Sequence, residues 1–366
     1  MRVTFPHMGN LYIPIKAMLN YLGVDVVVPP PSSKKTLTLG AKYGPEFACL
    51  PMKLNLGNFI EASELGADTI IMAGGCGPCR FGYYAQIEHA ILQDMGCDMR
   101  LIVFEPPERH FSELMVKIKR ISGNRSWWQV IQAVRFGYQK ARAVDEVEMA
   151  AFKSRPRELT PRLTDAAQTA ALKLIDAAAS QSELAEAIKK ASAIMSNIAV
   201  DNSRPVVRIG VIGEIYTLLD PFSNQYLERR LGILGAEVDR SIYLSEWVND
   251  HIFMGLVKGM RSRKEACGAA FPYLRHFVGG HGQETIGSAV NYARSGYDGL
   301  IQVLPFTCMP EIVAESILPG MSADYGIPAM TLIVDEHTGE AGTLTRLEAF
   351  VDLLDRKKET REALYS

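Results

Sequence analysis

Six cysteines carry the chemical interest of this 366-residue sequence. Cys76 and Cys79 stand in Ala73-Gly74-Gly75-Cys76-Gly77-Pro78-Cys79-Arg80-Phe81-Gly82, after the apolar run Thr69 to Met72 and before Ile87, Ile91 and Met95, spaced four apart. The run predicts a buried strand and the spacing predicts one face of a helix. The start of a helix stabilises a thiolate, the form that binds metal or attacks a disulfide. Glycines let the backbone approach a bound group, and Pro78 stiffens the turn. Cys49 lies in the turn Gly44-Pro45-Glu46-Phe47-Ala48-Cys49-Leu50-Pro51-Met52-Lys53, and Cys308 lies in Pro305-Phe306-Thr307-Cys308-Met309-Pro310. Four thiols in glycine- and proline-rich turns point to an iron–sulfur cluster, with [4Fe–4S] the first expectation. The bland alternative for Cys49 and Cys308 is burial as small apolar residues.

Other chemistries compete for the same residues. Cys-Gly-Pro-Cys between strand and helix is also a thioredoxin active-site sequence, although Gly75 stands where thioredoxin has tryptophan. A zinc site would need His89, about three turns from the thiols, and lacks the second pair of ligands that a tetrahedral site wants. Cys97, after Gly96 at a helix end, reads as a packing residue, while Cys267 stays open between packing and ligation. Gly279-Gly280-His281-Gly282-Gln283-Glu284 offers His281 and Glu284 as candidate proton donor and acceptor, or else a glycine turn with a helix cap. Asp335-Glu336-His337-Thr338-Gly339-Glu340 reads as cap residues, with Arg346 as their partner or that of an anion. No P-loop pattern occurs, so ATP binding of that kind is unsupported.

The elements that must position these residues alternate strand and helix, which predicts an α/β fold of covered parallel sheets. Strand, cysteine-bearing turn, helix and strand occur once in each half, suggesting a duplicated unit. The expected domains are residues 1–125, a helical, alanine-rich connector over 126–203, and residues 204–366. Ser180 and Glu183 predict a capped helix start within the connector. The first helix after Cys49 is expected near Leu56 to Leu65, and Pro29 to Lys35 reads as a polar break. If the halves face each other, strand-end turns bearing Cys49, Cys76, Cys79 and Cys308 would meet in one cleft.

Composition is that of an ordinary globular protein, with 48% hydrophobic residues and 22% charged. A net charge of −2 gives no reason to expect nucleic acid or membrane as partner. With no membrane-length apolar stretch and no signal-like start, a cytoplasmic, reducing location is expected. There, cysteines favour metal or redox work over disulfides.

Cys49-Leu50-Pro51-Met52-Lys53, Gly75 to Tyr84, Gly280-His281-Gly282-Gln283-Glu284, Phe306 to Glu311 and Thr345-Arg346-Leu347-Glu348-Ala349-Phe350 together resemble the 2-hydroxyacyl-CoA dehydratase superfamily. Within it, the resemblance is to the CoA-protein-activase-related, 2-hydroxyglutaryl-CoA dehydratase-like branch. It implies two flavodoxin-like domains with a cluster between them, held by Cys49, Cys76 and Cys308. Cys79 is extra to the plain dehydratase pattern, as a fourth ligand or as part of a double-cubane cluster. The resemblance further implies an ATP-dependent activase with its own iron–sulfur cluster as electron donor, and an acyl-CoA from which a ketyl radical is made and hydroxyl expelled. A homo- or heterodimer is compatible with this. A fully ligated cluster would leave no open iron for substrate, so a non-catalytic electron-transfer or scaffold subunit is the alternative, and thiol–disulfide exchange a third.

Overall fold

In the computed structural model, residues 1–75, 77–105, 111–251, 253 and 255–365 are described. The chain divides into two compact units, Met1–Ala141 and Arg142–Ser366.

Unit 1 runs β1 (Arg2–Thr4), α1 (Tyr12–Tyr21), β2 (Asp25–Val26), α2 (Lys34–Tyr43), α3 (Leu50–Glu64), β3 (Thr69–Ala73), α4 (Phe81–Asp94), β4 (Arg100–Phe104), α5 (Phe111–Ile121) and α6 (Trp127–Ser154), within which the division falls. Its strands are all parallel in the order β2-β1-β3-β4, with Val3 opposite both Val26 and Thr69 and Ile70 opposite Leu101. One face packs Ile70 and Met72 against α3 and α4, and the other packs Val3, Phe5 and Ile102 against α1, α5 and α6. Both faces are therefore covered, as the unbroken apolar strands require.

Two helix starts differ from the sequence reading. The polar break ends early, because Ser33 caps α2 in a reciprocal capping box with Thr36. The helix expected near Leu56 begins at Leu50, since Pro51 fits the first turn of a helix, where its missing N–H costs nothing.

Unit 2 holds α7 (Leu163–Ala177), α8 (Gln181–Ser196), β5 (Val207–Gly213), α9 (Ile215–Leu219), α10 (Leu227–Ile233), β6 (Ala236–Arg240), α11 (Leu244–His251), α12 (Arg263–Ala270), α13 (Gly282–Arg294), β7 (Gly299–Pro305), α14 (Met309–Tyr325), β8 (Ala329–Val334) and α15 (Glu340–Tyr365). Ser180 caps α8 by accepting from the Glu183 N–H, as its spacing predicts. The second sheet is again all parallel, ordered β6-β5-β7-β8, with Ile209 opposite Val238 and Gly299. The strand order is the same in both units, so the duplication suggested by the sequence appears in the topology. In such sheets the chain reverses its direction of growth between the two central strands, and ligand crevices form at their carboxyl ends.

No helix among the described residues is long and apolar enough to cross a membrane.

Candidate functional site

In unit 1, Cys49 is the cap residue of α3, extended in backbone and buried. Because α3 leads into β3, its start lies at the carboxyl edge of the sheet, where β3 also delivers the Cys79 turn. A close crossing of α2 over α3 fixes that start. A Cβ on Gly40 would lie 1.6 Å from the Lys53 carbonyl oxygen, and one on Gly57 would lie 2.0 Å from that of Thr36. Thr36 also donates its hydroxyl to the buried Glu61 at 2.6 Å.

Cys79 directly precedes Arg80, the cap residue of α4. The Arg80 guanidinium donates to the Phe47 carbonyl at 2.9 Å, tying this turn to the loop before Cys49. Tyr84, in the first turn of α4 and buried, places its hydroxyl 2.6 Å from the Cys49 sulfur. Burial and then Cys49 push the Tyr84 phenol upward, and Cys79 adds in the same direction. Cys49 and Cys79, thirty residues apart, therefore act on one phenol. Cys76 lies outside the described residues. One turn below Tyr84, the Glu88 carboxyl is fully buried and held far towards its neutral form, with Asn55 beside it.

His89 lies further along α4. Its Nε2 stands 2.8 Å from the Met99 carbonyl, a local contact that fixes the ring. Cys97 packs on the α3–α4 core, with its sulfur 3.8 Å from the Ser63 hydroxyl.

In unit 2, Cys308 is the buried cap residue of α14, and Pro310 stands in the first turn as Pro51 does in α3. Thr307, just before it, has φ of 68°, a left-handed conformation costly for a β-branched residue. The starts of α13 and α14 are pressed together, since a Cβ on Gly282 would sit 2.4 Å from the Pro310 carbonyl oxygen. Glu311, fully buried in the first turn of α14, accepts from the Thr285 hydroxyl at 2.9 Å and the Gln302 amide at 3.1 Å. Desolvation raises its carboxyl to about 7 despite these donors, with Glu214 and Glu284 pushing the same way. Glu214, directly after β5, caps α9 by accepting from the Tyr216 and Thr217 N–H groups.

His281 and Glu284 thus lie beside the helix start that Cys308 caps. His281 precedes α13 without a side-chain capping bond. Desolvation pushes its imidazole down to about 3, helped by His251 and Arg263, so it is neutral at physiological pH. Glu284 accepts from Arg263 at 2.7 Å, and burial raises its carboxyl while Arg263 opposes. Cys267, on α12, feels Glu284 and Arg263, and burial pushes its thiol up. Glu284 and Arg263 also line a cavity of about 380 Å³ along α13, together with Asp239, Arg261, Tyr292 and Tyr297. Asp335 instead closes its own turn, accepting from the His337 N–H and the Thr338 hydroxyl. Arg346 donates to the Thr331 carbonyl at 2.5 Å.

Sequence reading missed Tyr84 and Glu311 as parts of these sites. The repeated Cys-x-Pro of Cys49-Leu50-Pro51 and Cys308-Met309-Pro310 was the available signal for two cysteine-capped helices. Among the described residues, no three His, Cys, Asp or Glu side chains are grouped to hold a metal ion.

Two parallel sheets of identical strand order, each with a cysteine-capped helix at its carboxyl edge, define a twin flavodoxin-like α/β protein. The chain belongs to the family described as CoA enzyme activase uncharacterised domain (DUF2229), whose pattern matches residues 7–240. No curated protein matches it.

Proposed function

We propose that the chain is an iron–sulfur protein that takes low-potential electrons from an ATP-dependent activase for reductive chemistry on an acyl-CoA. Its cluster ligands in this reading are Cys49, Cys76, Cys79 and Cys308. One observation carries it: thiols at the starts of α3 and α14, and just before α4, in a chain of a CoA enzyme activase-related family. The donor set suits such a group. Soft thiolates select iron–sulfur clusters, and unpaired N–H groups at a helix start favour negatively charged sulfur.

When bound, the cluster supplies reversible one-electron transfer at low potential. The chain's own residues do the rest. The α2–α3 crossing holds the Cys49 sulfur at the helix start, and the Arg80–Phe47 contact holds the Cys79 turn beside it. Neutral His281 can offer an N–H hydrogen-bond donor near Cys308, and Arg263 keeps Glu284 oriented beside it. The nucleotide belongs to the partner, in keeping with the missing P-loop.

Anaerobic reconstitution of the full chain followed by iron and sulfide analysis tests this. About four irons per chain are expected for one cubane cluster, with iron lost in Cys49→Ser and Cys308→Ser. Colourless, iron-free protein would end this reading. The Cys-Gly-Pro-Cys sequence favours thiol–disulfide exchange as a second reading, and there Cys308→Ser would leave the activity intact.

A further inference from the structure

The role of Tyr84 beside Cys49 rests on the reading of Cys49 as a cluster ligand. Tyr84 brings its hydroxyl to 2.6 Å from the Cys49 sulfur. Tyr84 as a residue is only 5% exposed, and its ring meets Phe81 edge-on at 5.9 Å between centroids, so it is held in place. α3 and α4 pack on one core, which sets the distance between the two residues through rigid elements. A sulfur bound to iron carries no proton, so in this pair only the phenol can donate.

We propose that Tyr84 is a positioning residue of the metal centre: its phenol donates a hydrogen bond to the Cys49 sulfur, fixing that ligand and making the bound cluster easier to reduce. Reduction adds negative charge that spreads onto the cysteine sulfurs, and a donor aimed at one of them stabilises the reduced form more than the oxidised form. The donor and the ligand both belong to unit 1.

The test is a redox titration of the anaerobically reconstituted full chain, wild type against Tyr84→Phe and Tyr84→His, with iron content measured on each. Tyr84→Phe is expected to keep its iron and show a reduction equilibrium about tenfold less favourable, which is about 59 mV more negative for one electron. Tyr84→His, whose ring restores a donor, should move the potential back towards wild type. Iron-loaded Tyr84→Phe at the wild-type potential overturns the proposal. If Tyr84→Phe fails to hold iron, Tyr84→His must hold it, and failure of both overturns the proposal as well. Wild-type protein without iron overturns the cluster reading itself, an outcome distinct from either.

Discussion

Thr285 on α13 donates its hydroxyl to Glu311 on α14 at 2.9 Å, fully inside unit 2. The bond locks together two helix starts, one following His281 and one following Cys308. With Gly282 pressed on the Pro310 carbonyl, it makes the spacing between the two motifs a property of helix packing rather than of loop conformation.

Glu311 makes stability depend on pH. Its carboxyl is raised from 4.5 to about 7 by burial, so the native state holds a proton that the unfolded chain releases. The protonated form's contribution is full below about pH 4.5 and is lost as pH rises to 7, on the order of 3 kcal/mol in all. Glu311→Gln should therefore gain on wild type as pH rises from 5 to 8, read from denaturant midpoints along that series. A constant difference between the two proteins would contradict the assignment.

His281 works at the other end of the scale. Its pKa is lowered from 6.5 to about 3 by desolvation, so the unfolded chain takes up a proton that the native state refuses. Stability is intact above about pH 6.5 and falls as acid is added towards pH 3. NMR should show the His281 ring without a titration step between pH 5 and 8; a step near 6.5 would mean that the ring is solvated.

Arg240 is buried between Glu148 and Glu228 and also donates to the Leu218 carbonyl at 3.2 Å. Removing Glu148 takes away the closer of the two carboxylates and leaves the buried guanidinium with Glu228 at 3.8 Å. Glu148→Ala should cost about 3–5 kcal/mol, measured by urea unfolding. Glu186→Ala, which breaks the exposed pair with Lys190, should cost about 0.5 kcal/mol or less.

Gly40 and Gly235 separate two uses of glycine. A Cβ at Gly40 would collide with the Lys53 backbone, whereas Gly235 has φ of 93° and open space around it. Gly235→Ala should cost about 1–2 kcal/mol from backbone strain alone. Gly40→Ala should cost about 3 kcal/mol or more, because α2 must leave α3. Equal thermal shifts in the two variants would mean that the crossing yields easily.

Local chemistry was legible in the sequence wherever one segment decides it. Apolar runs such as Thr69 to Met72 announce central strands, Ser180 with Glu183 announces a helix start, and the alternation of strand and helix announces two parallel sheets. The cysteine turns were visible too, because glycine and proline mark them, although Pro51 was read as part of a turn when it opens a helix. Tertiary structure alone decided that Cys49 meets Tyr84, that Thr285 meets Glu311, and that His89 is bound to the Met99 carbonyl. Those contacts join separate helices, strands and loops, and no local propensity sets the distance between them. The depressed His281 and raised Glu311 have the same origin, since desolvation depends on what the whole unit packs around a side chain.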